Sequence, residues 1–188
     1  MKTAGQPSLK GRTVLLGLTG SIALYKSCDL VRRLKDEGAD VFCLMTRGAG
    51  EFVSPLTFSA LSGHPVADDV WDRGVWKFNH LDRAERADVL VISPASANTL
   101  ARLAAGLADD IVTAVALSTR APIVIAPAMH EVMWNHPATK ANVRKLRGYG
   151  YVFVGPERGP LTRGDTGWGR LAGTPDIIAA AKKAVRRS

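Results

Sequence analysis

The chain has 188 residues, of which 46% are hydrophobic and 22% charged, and 25 Lys+Arg against 17 Asp+Glu give a formal charge of +8. A chain of this length buries about 70% of its unfolded surface, so one domain needs no staple, and Cys28 and Cys43 are too few for a disulfide framework or a zinc cage and fit a reduced, cytoplasmic setting. No apolar run approaches the roughly 20 residues of a membrane span, residues 1–9 lack a signal-peptide core, and no recognition-helix, RNP or zinc-finger pattern accompanies the basic excess, which reads as solvated ends rather than a nucleic-acid surface.

Short apolar runs alternate with amphipathic stretches. Residues 13–18 (TVLLGL) predict a buried strand, and Thr19-Gly20-Ser21 leads into a helix over 22–37, with Leu24, Cys28, Val31 and Leu34 at helical spacing and Gly38 as its stop. A second strand follows at 40–45 (DVFCLM), then a helix opened by Ser54-Pro55 and ended by Gly63. Residues 67–79 read as a strand-poor loop holding Trp71 and Trp76, and 81–86 as a short helix. Strands are expected at 88–93 (DVLVIS), 122–126 (PIVIA) and 151–154. Helices are expected at 98–106, 109–117, 136–147 and 174–187, the last with Pro175 in its first turn.

Strands apolar throughout and separated by helices belong to a parallel sheet covered on both faces. The expected fold class is therefore α/β, a doubly wound Rossmann-like parallel sheet forming a single domain with a core over 12–185 and mobile ends.

In such sheets ligands bind outside the carboxyl ends of the strands. After the first strand, Gly20-Ser21-Ile22-Ala23 has neither the GxGxxG spacing nor a Walker loop. Its Gly-Ser turn serves either as a phosphate-facing helix start or simply as a turn capped by Ser21. After the third strand, Ser96, Ala97, Asn98 and Thr99 put more small polar groups at a helix start than one cap requires. Thr46 can join them from the end of the second strand. A monophosphate held by strand-end hydroxyls suggests FMN more than a dinucleotide. After the fourth strand, residues 127–134 (PAMHEVMW) cluster two Met, a Trp and a His, either as core filler or as a binding surface. A nicotinamide dehydrogenase is set aside, because Met45-Thr46-Arg47 stands where an acidic residue is needed.

Taken together, Gly20-Ser21-Ile22-Ala23, PASANT at 94–99 and PAMHEVMW at 127–134 resemble the family of homo-oligomeric, FMN-containing cysteine decarboxylases. The resemblance covers residues 13–178 and is greatest to the phosphopantothenoylcysteine decarboxylase branch. It implies FMN as cofactor and decarboxylation of an N-acylated cysteine, phosphopantothenoylcysteine to phosphopantetheine in coenzyme A biosynthesis. It also implies self-association into trimers or a dodecamer of trimers, with no nucleic-acid or membrane partner. Two alternatives are an oxidative decarboxylase of a Cys-ending peptide, which stops at the enethiol, and a non-catalytic regulatory flavoprotein.

Carried onto this chain, the resemblance makes His80, in His80-Leu81-Asp82, the catalytic histidine, and its retention favours an enzyme. Gly20, Ser21, Ile22, Thr46, Ser96, Ala97, Asn98, Thr99, Ala128 and Met129 would contact the cofactor. His130 and Arg163-Gly164-Asp165 would contact the substrate. Two positions depart from the family: His130 stands where Asn is usual, and Arg163 where the cysteine of an Ala-Cys-Gly-Asp clamp is usual. Arg170 and Lys140 are further candidates for the substrate's phosphate or carboxylate. Five glycines over 159–173 suggest a lid that closes on substrate.

Overall fold

The computed structural model describes residues 8–68, 84–160 and 166–185. Its centre is a five-stranded sheet in the order β2-β1-β3-β4-β5, built from β1 (Thr13–Leu18), β2 (Asp40–Met45), β3 (Val89–Ala95), β4 (Ile123–Pro127) and β5 (Val152–Phe153). All four pairings are parallel. The sequence therefore identifies the fold class correctly. Reversal of strand order between β1 and β3 makes the crevice at their carboxyl ends the topological switch point.

Alternate residues of each strand feed two opposite cores, as a period of two requires. Val14, Leu16 and Leu18 pack with α1 (Ser27–Asp36), α3 (Pro55–Ser62) and α8 (Thr174–Val185), through Leu30, Leu34, Phe58 and Ile177. Leu15, Leu90 and Ile92 face α4 (Ala97–Ala105), α5 (Ile111–Ser118) and α7 (Pro137–Gly148), through Leu100, Val112 and Leu146. At Gly17 a Cβ would lie 2.9 Å from Val112 Cγ1, so the missing side chain is what lets α5 approach β1.

Several elements differ from expectation. The stretch expected as one helix over 22–37 begins as a 3-10 turn, Ile22–Lys26, and becomes α-helical only at Ser27. The buried Ser27 hydroxyl donates to the Ser93 carbonyl at 2.8 Å, anchoring the helix start to β3. The tighter turn buries Leu24 while leaving Ile22 and Tyr25 outside. β3 runs on to Ala95 with Pro94 inside it, at a register shift between Ile92 and Ala95 where a missing N–H is tolerated. Short helices α2 (Arg47–Gly50) and α6 (Glu131–Asn135) were not legible as helices. Residues 157–170 form an antiparallel hairpin, β6 (Glu157–Pro160) with β7 (Thr166–Arg170). The loop reading of 69–79 and most of the helix read at 81–86 lie outside the described residues, with helix present at 84–86. Among the described residues no helix is long and apolar enough to cross a membrane.

Candidate functional site

Three strand ends are tied together by two hydroxyls. Thr19, fully buried after β1, donates to the Pro94 carbonyl at 2.7 Å and accepts the Ser96 N–H at 2.9 Å. Ser21 caps the 3-10 turn by accepting the Ala23 N–H at 3.3 Å and donates to the Ala128 carbonyl, also at 3.3 Å. Both functions weighed for Ser21 thus begin from a cap, but one that also bridges β1 to β4. Gly20 packs against the backbone of Gly48, a Cβ at Gly20 falling 3.1 Å from the Gly48 carbonyl oxygen, so a side chain at Gly20 would crowd that loop.

Above β1 and β4 opens a cavity of about 570 Å³, within the range of small-molecule sites, whose lining includes Ser21, Ile22, Lys26, Met129, His130 and Arg170. The β6–β7 hairpin closes its far side. The Met129 N–H donates to the Gly169 carbonyl at 3.0 Å, and the Trp168 N–H to Glu131 Oε1 at 3.1 Å. Gly169 has φ +133°, and a Cβ there would collide with the Met129 carbonyl, so only glycine permits this docking. A larger hollow of about 630 Å³ lies at the opposite end of the strands. It is not the better candidate: Arg12 and Asp88 there are spent on each other at 2.8 Å, and the carboxyl ends of the strands are remote.

Of the residues singled out in the sequence, Ser21, Ile22, Ala128, Met129 and His130 meet around this cavity, with Arg170 opposite. Ser96 caps α4, its hydroxyl accepting the Thr99 N–H at 3.2 Å and sharing a 3.1 Å bond with the Thr99 hydroxyl. Thr99 is buried, Asn98 exposed and Ala97 half-buried, so this group stands beside the cavity, joined to it through Thr19. Thr46 precedes α2 and donates its N–H to the Leu18 carbonyl at 3.0 Å. Lys140 stacks on Trp134, with Nζ 4.2 Å from the ring centroid, rather than entering the cavity. The Met–Trp cluster divides: Trp134 is core, while Val132 and Met133 are exposed. His80, Arg163, Gly164 and Asp165 lie outside the described residues.

His130 is the N-cap of α6, and its Nδ1 accepts the Val132 N–H at 3.3 Å. That bond requires an unprotonated Nδ1, so the neutral ring carries its proton on Nε2 and offers one donor, where an asparagine would offer an amide. Burial pushes the Cys43 thiol up to about 12, with Cys28 nearby adding to the effect, and burial raises Cys28 as well. Neither thiol lines the cavity. Sequence reading missed Thr19, Lys26 and Glu131, whose roles depend on contacts distant in the chain.

The chain resembles the coenzyme A biosynthesis bifunctional protein CoaBC of Bacillus subtilis, with 44% identity over 176 residues, covering 93% of this chain and 43% of that protein. It is 40% identical over 175 residues to CoaBC of Escherichia coli strain K12, again covering 93% and 43%. The chain thus spans less than half the length of these curated relatives. Among solved structures, the FMN-dependent cysteine decarboxylase SpaF superposes with a TM-score of 0.82 at 32% identity, covering 95% of this chain and 99% of that one. A PPC decarboxylase mutant complexed with pantothenoylaminoethenethiol gives 0.79 at 30% identity, covering 94% and 99%. Flavoprotein is the family description whose model matches residues 3–186, nearly the whole chain, and the chain belongs to that family.

Proposed function

We propose that this chain performs the FMN-dependent decarboxylation of phosphopantothenoylcysteine to phosphopantetheine, a carboxy-lyase step of coenzyme A biosynthesis in the cytoplasm. The observation that carries the reading is the cavity between the Ser21–Lys26 turn and the Met129–His130 loop, roofed by the hairpin, in a chain alike over nearly its whole length to cysteine decarboxylases. The residues present fit the cofactor. Exposed Ile22 and half-buried Met129 supply apolar walls, and Gly20, packed on the Gly48 backbone, adds no side chain to the loop after β1. The helix start at Ser96 retains N–H donors suited to a phosphate.

When bound, FMN would supply a two-electron acceptor for the cysteine CH₂–SH, leaving the carboxylate β to a thiocarbonyl so that CO₂ can depart, and in its reduced form would return the same two electrons, so that the product is the saturated thiol. The protein places the substrate and manages protons. His80 takes the thiol proton. His130 Nε2–H donates to a substrate carbonyl or carboxylate oxygen. Arg163 cannot deliver a proton, since guanidinium pKa values exceed about 12. Asp165, or water held beside it, therefore protonates the decarboxylated intermediate. Self-association into trimers belongs to this reading, supported by the exposed apolar pair Val132 and Met133 on α6.

A second reading, oxidative decarboxylation of a peptide ending in Cys, is favoured by Arg163 at the place of the usual clamp cysteine. The two are separated by assaying the FMN-loaded protein with phosphopantothenoylcysteine and with a Cys-ending peptide. Release of CO₂ from the first alone supports the proposal, and release from the peptide alone sinks it.

A further inference from the structure

Resting on that reading, we infer that Lys26 and Arg170 together form a dianion site that grips the phosphate end of the substrate and selects phosphorylated substrates over peptides. Both side chains line the cavity, Lys26 from the turn after β1 and Arg170 from the roofing hairpin. Among the described residues no Asp or Glu lines the cavity, and neither cation has a carboxylate partner. The Lys26 ammonium instead lies 5.9 Å from the Tyr25 ring centroid.

Arg170 is kept from pairing with Glu157 by an identifiable diversion. Its partner across the hairpin is Glu157, and in an antiparallel pair opposite charges at facing positions ordinarily meet. Here Glu157 Oε1 instead accepts the Gly173 N–H at 2.9 Å, beside the start of α8, and Glu157 forms no ion pair with Arg170. The Arg170 side chain is also steered. A Cβ at Gly159 would fall 3.0 Å from both Cδ and an Nη of Arg170, so this glycine leaves the path along which the arginine lies.

The two anions of phosphopantothenoylcysteine make different demands. Its carboxylate leaves as neutral CO₂, so a cation pair upon it would stabilise the charged reactant more than the transition state and oppose the reaction. Its phosphate keeps a charge near −2 throughout. Two cations there add binding energy remote from chemistry, which is where binding can be strengthened without raising the barrier. An ammonium paired with a guanidinium fork suits phosphate oxygens, and a Cys-ending peptide has no equivalent dianion. The cofactor's own phosphate is the other source of the same chemistry, and it is assigned instead to the Ser96 helix start.

The test is Lys26→Gln and Arg170→Gln in the FMN-loaded protein, with Arg170→Lys as the conservative partner. KM is measured for phosphopantothenoylcysteine and for pantothenoylcysteine, which lacks only the phosphate. Each Gln variant is expected to raise KM for the phosphorylated compound about 10- to 100-fold, the range of a charged hydrogen bond. KM for the other compound should stay within about twofold, flavin content should be unchanged, and Arg170→Lys should recover part of the loss. Equal effects on both compounds, or loss of flavin, overturn the assignment. Calorimetric titration with phosphopantetheine separates this idea from the reaction itself: wild type should bind it and both Gln variants should weaken binding, whether or not any substrate turns over. A wild-type protein that decarboxylates phosphopantothenoylcysteine yet binds phosphopantetheine no better than its Gln variants keeps the reaction and removes the site.

Discussion

The Ser96 N–H donates to the Thr19 hydroxyl at 2.9 Å across 77 positions of sequence, while the same hydroxyl donates to the Pro94 carbonyl. One threonine thus sets the separation of the two loops at the switch point, where β1 and β3 diverge to opposite halves of the sheet. Because Thr19 is fully buried, no water can replace it.

Thr19→Val keeps the shape and removes both bonds, leaving a buried carbonyl and an N–H short of their partner. The expected loss is about 1–3 kcal/mol, read by urea unfolding. Ser93→Ala is the control, since the Ser93 hydroxyl is equally buried and has no partner among the described residues. Because that hydroxyl is buried without a partner, its removal should leave stability equal to or above wild type rather than lower it. Equal losses in the two variants would show that the Thr19 bridge contributes nothing specific.

Docking of the hairpin depends on backbone at Gly169 and on one carboxylate. Gly169→Ala forces a Cβ into the Met129 carbonyl at φ +133°, a strain of about 1–3 kcal/mol that undocking relieves. Limited proteolysis should then cut within 157–170 much faster than in wild type, with the far-ultraviolet circular dichroism unchanged. Glu131→Ala removes only the 3.1 Å bond to the Trp168 N–H and should give a smaller rise of the same kind. Protection equal to wild type in both variants would mean that the hairpin is held elsewhere.

Cys43 gives a pH-dependent stability of known sign. Its thiol rises from 9.0 to about 12 in the folded protein because burial disfavours the thiolate. Between these values the native state binds more protons than the unfolded state, so stability is complete below pH 9 and falls as pH rises toward 12. One such thiol contributes a slope of about 1.4 kcal/mol per pH unit. Cys43→Ala should show a shallower decline over this window than wild type. Parallel curves would place the alkaline transition on other groups.

Replacing His80 by Asn should lower decarboxylation by roughly 10²–10⁴, the range of a general base, with flavin content and melting temperature retained. Turnover within a few fold of wild type would remove His80 from the chemistry.

The parallel sheet was legible because each central strand is a continuous apolar run, such as TVLLGL or VLVIS, bounded by turns and helices. The hairpin was not. Glu157-Arg158-Gly159-Pro160 and Thr166-Gly167-Trp168-Gly169-Arg170 lack apolar alternation and owe their strand geometry to docking on Met129 and Glu131. Ser21 and His130, which line the cavity, were legible as candidates because each follows a strand end. Lys26 escaped notice because a basic residue early in a helix normally reads as solvated, and only the hairpin folding over it shows the cavity. Arg170 was visible as a cation, but its freedom from Glu157 depends on the Gly173 N–H, a contact that sequence spacing does not encode.

The proposed reaction removes CO₂ from phosphopantothenoylcysteine and returns a saturated thiol, although the resemblance puts Arg163 where the family usually carries the clamp cysteine. Mixing the FMN-loaded protein with one equivalent of phosphopantothenoylcysteine, without oxygen, and following flavin absorbance and product mass tests it most directly. The predicted result is a transient bleaching that recovers fully, with phosphopantetheine as product. Absorbance that stays bleached, with a product two mass units lighter than phosphopantetheine, would contradict it.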